Sequence, residues 1–126
     1  MTSHSSHRVL RLSSSLTRGR FMVCVDSVPI ELTYTSLRTL VSLISAFVEG
    51  RYAGLRDFRV GADRLLLYQR IRRLRRSFDH KLGVGEGQQI IQHVAMANYS
   101  LGVESVEIDE ELQRYCDFIL PESSGS

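Results

Sequence analysis

DRLLLYQRIRRLRRSFD, residues 63 to 79, is the stretch whose reading decides what this chain is. A helix turns about 100° per residue, so Leu67, Ile71, Leu74 and Phe78 fall in one stripe, the pattern of a helix with one face in a core. Opposite the stripe lie Leu65, Gln69, Arg72, Arg73 and Arg76, with Arg70 and Arg75 on the flanks, which puts five arginines within residues 70 to 76. Guanidinium groups set that close repel one another unless an anion answers them. Asp63 stands where a helix cap belongs and Asp79 just past the expected far end, so neither acid lies among the arginines. The sequence thus predicts a helix over residues 63 to 78 that is anchored by one side and offers the other to a nucleic-acid groove.

Around that helix, 126 residues with 43% hydrophobic content suit one small domain with tails. The formal charge of +2 conceals an asymmetry: residues 1 to 103 carry 15 Lys+Arg against 7 acids, and residues 104 to 126 carry one Arg against seven acids. The balances are +8 and −6, a basic body with an acidic end. Fifteen of the 16 basic residues are arginine, the side chain suited to bidentate contact with phosphate or guanine. Cys24 and Cys116 form no metal-spaced pair and read as small buried residues with reduced thiols. No apolar run has the length of a membrane span, and MTSHSSHRVL has none of signal-peptide length, so a cytoplasmic protein without a membrane partner is expected.

Residues 1 to 7 are Ser- and His-rich with nothing to bury, and a disordered tail is expected there. RVLRL (8 to 12) and FMVCV (21 to 25) read as strands separated by the turn-prone SSSLTRGR. Asp26 and Ser27 turn the chain into VPIEL (28 to 32), where Pro29 marks an edge strand. Thr33 caps a core helix over residues 34 to 48, with Leu37, Leu40, Val41, Ile44 and Val48 on its apolar face and Gly50 as its stop. Leu55, Phe58 and Val60 suggest a short second helix between Gly54 and Gly61. GVGEG (83 to 87) lacks a following Lys-Ser or Lys-Thr and reads as a flexible connector. QIIQHV (89 to 94) and YSLGV (99 to 103) form a hairpin across AMAN. Residues 104 to 120 are an acidic extension with a strand over 106 to 108 and a helical turn or two over 110 to 117, and residues 121 to 126 a disordered end.

This order of sheet, helix, short helix, arginine-rich helix and hairpin resembles the winged helix-turn-helix DNA-binding domain of OmpR/PhoB-type response regulators. VCVDSVPIELT (23 to 33) is similar to that family's strand leading into its first helix, and SLRTLVSLI (36 to 44) to that helix. IRRLRRSF (71 to 78) resembles the Ile-x-Arg-Leu-Arg signature of the recognition helix, and IIQHVAMANYSL (90 to 101) the wing. The likeness covers residues 21 to 103 and implies an α+β fold: a small N-terminal antiparallel sheet, a three-helix core and a C-terminal hairpin wing, here without a receiver domain. It further implies base reading by Gln69 and Arg73, with phosphate or supporting contacts from Arg70, Arg72 and Arg75; Arg76 joins them from the helical wheel. The chain departs from the family pattern at Ala95, Met96 and Asn98 in the wing, and at Leu65 and Leu66 early in the helix.

The expected function is transcriptional regulation through double-stranded DNA, with a second copy of the chain as a further partner. The alternative is a protein-interaction module on the same scaffold, its arginines meeting an acidic surface or the chain's own acidic end. Neither a nucleophile with a positioned base, nor a metal cluster, nor a pair of carboxylates is evident, so no enzyme activity, cofactor, metal or small-molecule ligand is expected.

Overall fold

The structure, a computed structural model, describes residues 8–17 and 20–108. The fold is α+β: among the described residues, an N-terminal sheet, four helices and C-terminal strands. Strands β1 (Val9–Thr17), β2 (Arg20–Val25) and β3 (Val28–Leu32) form an antiparallel meander. Asp26 and Ser27 turn between β2 and β3 with φ of 51° and 75°, a pair of left-handed residues that suits a tight hairpin turn. β3 is an edge strand, as Pro29 predicts. The strand β6 (Ser105–Ile108) closes the other side, parallel to β1, giving the order β3-β2-β1-β6. The sheet therefore takes in Ser105–Ile108, which the sequence reading places in the acidic extension. β1 is also longer than expected, because residues 13 to 17 continue the pairing to β2 across a register shift instead of turning.

Helix α1 (Tyr34–Val48) begins at Thr33, whose hydroxyl accepts from the Ser36 N–H at 3.2 Å. Leu37, Leu40, Val41 and Ile44 are buried as its periodicity predicts, but Val48, on the same stripe, is 71% exposed. A helical wheel fixes the angle at which a residue points, not how far along the axis its packing partner extends. The buried hydroxyls of Thr39 and Ser42 are satisfied by the carbonyls of Thr35 and Arg38, each at 3.0 Å. The short helix α2 (Leu55–Phe58) is held by Asp57, which accepts from the Gly54 N–H at 2.8 Å and from Arg51 at 2.8 Å. Those hydrogen bonds from Arg51 to Asp57 and to Glu49 keep its guanidinium well above its ordinary pKa.

Helix α3 (Arg64–Leu82) is the arginine-rich one, and Leu67, Ile71, Leu74 and Phe78 are its buried residues, as predicted. Asp63 caps it by accepting from the Leu66 N–H at 2.9 Å. The helix runs on to Leu82, so Asp79 lies inside it and accepts the Gly87 N–H at 2.7 Å. That bond ties down helix α4 (Glu86–Ile90), which occupies the place expected for a flexible connector and moves the hairpin strands to β4 (Ile91–Ala95) and β5 (Asn98–Leu101). Gly87 permits the arrangement: a Cβ there would lie 2.3 Å from the Arg75 carbonyl oxygen. One core joins the sheet, the helices and the hairpin. The expected tails at 1–7 and 121–126, the helical turn over 110–117 and Cys116 lie outside the described residues; Cys24 is half-buried.

Candidate functional site

The six residues singled out from the sequence separate into three settings on α3. Gln69, Arg72, Arg73 and Arg76 are exposed, and among the described residues the three arginines have no carboxylate partner. Arg70 is half-buried on the side facing α1 and α2, where it lines a cavity of about 30 Å³ with Thr39, Ser42, Phe58 and Arg59. Arg75, on the opposite flank, is not a free cation. Its Nε and Nη2 donate to the Ile91 carbonyl at 3.0 and 2.7 Å, and its guanidinium lies 5.9 Å from the centre of the Tyr99 ring. A phosphate contact expected of Arg75 thus meets a side chain already spent on fastening α3 to β4.

Tyr99 is the joint on which the hairpin is set. Its backbone exchanges two hydrogen bonds of 2.8 Å with Ala53, the residue between α1 and α2, which adds a short third segment beside β5. Its ring meets Phe58 edge-on at 6.3 Å and His93 at 5.3 Å. His93 in turn has Nε2 2.6 Å from the Met96 carbonyl, and with the proton on that nitrogen it donates there. The chain of contacts Arg75, Tyr99, His93, Met96 makes the hairpin a rigid companion of α3. At its tip Met96 takes φ of 52° and is 74% exposed, so the left-handed turn falls on Met96 while Asn98 enters β5. The residues of that tip, VAMA over 94 to 97, carry no cation.

At the start of α3, Leu65 is 65% exposed, whereas its neighbour Leu66 is half-buried against the core. Toward the end of α3 the helix and β3 frame an open groove of about 500 Å³, lined by Arg73, Arg76, Ser77, His80 and Lys81 with Ile30 and Glu31. Sequence reasoning missed His80 and Lys81 because it ended the helix at residue 78. The signal was present: continuing the helical spacing of Arg73 and Arg76 through Ser77 brings residues 80 and 81 to the same side. Among the described residues no three His, Cys, Asp or Glu gather as metal ligands, and no helix is long and apolar enough to cross a membrane. Comparisons with protein-family models, with curated proteins and with solved structures give no match to this chain.

Proposed function

We propose that this chain is a winged helix-turn-helix DNA-binding protein that regulates transcription by laying α3 in the major groove of a duplex. The observation that carries the reading is a core-anchored helix whose outer face presents Gln69, Arg72, Arg73 and Arg76, with the three arginines unneutralised among the described residues. Gln69 suits bidentate bonding to adenine and Arg73 to guanine, each good for about 1 to 3 kcal/mol of discrimination. Arg72 and Arg76 supply charge to phosphates on either side. On this reading the hairpin, fastened to α3 by Arg75 and Tyr99, serves as the wing, and its apolar tip suits shape contact rather than charge contact.

A salt series of duplex binding tests this. Each arginine that neutralises a phosphate steepens the dependence of log affinity on log salt by about 0.9, so Arg72→Ala/Arg73→Ala/Arg76→Ala, which removes the two phosphate contacts of Arg72 and Arg76, flattens the slope by about 1.8 while the fold persists. Arg73→Ala alone also relaxes sequence preference among duplexes selected from a random pool. Equal slopes for wild type and triple variant sink the proposal. A second reading, a protein-interaction module, is favoured by the exposed apolar side chains of Leu65, Val94 and Met96; retention of a protein partner and of no duplex at physiological salt selects it.

A further inference from the structure

We propose that the groove between β3 and α3 is a docking surface for the chain's own acidic segment, residues 109 to 117, which there covers the cationic side of α3. Charge selects the occupant first. Arg73, Arg76 and Lys81 bring three positive charges to the groove and, among the described residues, have no carboxylate partner, while Glu31 on the rim has a partner of its own. Residues 109 to 117 read DEELQRYCD, four acids against Arg114, a net charge of −3.

Position selects the same segment. Ile108, the last residue of β6, stands in register with Leu12, which pairs with Val23, which pairs with Ile30. Three strand spacings of about 4.8 Å put Ile108 roughly 14 Å from the strand that walls the groove. The next row along the direction of β6 runs Ser13, Met22, Glu31 and ends on the groove's rim. An extended chain covers about 3.3 Å per residue, so nine residues reach that distance about twice over. An anion tethered so near acts at an effective concentration in the millimolar range, which a free acidic peptide does not match. Because Arg73 and Arg76 belong both to the groove and to the outer face of α3, a docked segment and a bound polyanion compete for the same two guanidinium groups.

The test uses the full chain and needs no DNA, so its result is separable from the fate of the DNA-binding proposal. Amide and arginine side-chain NMR resonances of wild type are compared with those of the full-length variant Asp109→Asn/Glu110→Gln/Glu111→Gln. At low salt the resonances of Arg73, Arg76, Ser77 and Lys81 are expected to shift between the two proteins, while those of α1 stay in place. Raising salt from about 50 to about 500 mM, which shortens the screening length severalfold, should carry the wild-type resonances toward those of the variant. Coincident resonances for the groove residues at low salt overturn the proposal. Differences that vanish on dilution also overturn it, since they make the occupant a second copy rather than the chain itself. Should the variant fail to fold, the salt arm on wild type decides alone: groove resonances no more sensitive to salt than those of α1 overturn it.

Discussion

Arg75 shows how much a single side chain's neighbours change its meaning. Its position in the Ile-x-Arg-Leu-Arg pattern suggested a phosphate contact, yet both of its bonded N–H groups converge on one carbonyl, that of Ile91. Removing it leaves that buried carbonyl without the donors Arg75 gives it and lets the hairpin loosen. Arg75→Ala is expected to cost about 1 to 3 kcal/mol in urea unfolding. Arg75→Lys should recover only part of this, because an ammonium cannot give the Ile91 carbonyl the same forked pair of N–H bonds. If Arg75→Ala unfolds at the wild-type urea midpoint and weakens every duplex alike, the side chain serves phosphate after all. Met96 makes the opposite case. A side chain in the left-handed region costs about 1 to 2 kcal/mol, and Met96 is exposed enough to recover little of it by burial. Met96→Gly should therefore raise stability by about 1 kcal/mol, less what the freer unfolded chain takes back, and an unchanged or lower midpoint tells against strain at this turn. Sequence alone located the turn at AMAN but not the residue that bears the positive φ, since Asn98 is the more natural candidate and lies in β5 instead.

At the scale of the element, α3 was legible in its middle and misread at its end. The stripe of Leu67, Ile71, Leu74 and Phe78 is periodic, and periodicity survives folding because a buried face must be continuous. Its C-terminus has no such signature: Asp79 reads as a stop, but it is a helical residue whose carboxylate holds the Gly87 N–H. The GVGEG segment misled for a related reason, since its three glycines do three different things. Gly83 ends α3 with φ of 122°, Gly85 takes φ of 92° before α4, and Gly87 lets α4 rest directly on the backbone of α3. Composition reports such glycines only as freedom. Gly87→Ala therefore discriminates a connector from a packed contact. Its new methyl group would have to displace main chain at Arg75 rather than the tip of a side chain, so a loss of about 1 to 3 kcal/mol is expected, with the amides of α4 exchanging faster than in wild type. A neutral substitution would mean that α4 does not sit on α3 as described.

The whole molecule depends on a pairing that no local reading could have placed with confidence of register, the parallel ladder between β1 near the start of the chain and β6 more than ninety residues on. The strand at residues 106 to 108 was visible as alternating apolar and acidic residues, but a short run of that kind does not say which edge it joins. The structure supplies the partner: Val9 to Leu12 pair with Ser105 to Ile108, and Arg11 meets Glu107 across the ladder at 2.8 Å. That ion pair is largely exposed and adds little energy, though it favours this register over a slipped one. Burial contributes more. Val106 and Ile108 are half-buried against the core, and at about 1.5 to 3 kcal/mol for full burial of each, their loss amounts to about 1.5 to 3 kcal/mol. A chain ending after Val103 should accordingly unfold at a lower denaturant concentration than one ending after Ile108, and should aggregate more readily, because β1 becomes an uncovered edge. Coincident unfolding curves for the two truncations would show that β6 is not part of the cooperative unit. The comparison also decides how the acidic end is to be studied: a cut after Val103 removes a structural strand together with the anionic segment, so any gain or loss in duplex binding would mix the two. Only the cut after Ile108, or neutralisation of Asp109, Glu110 and Glu111 in the intact chain, isolates the charge.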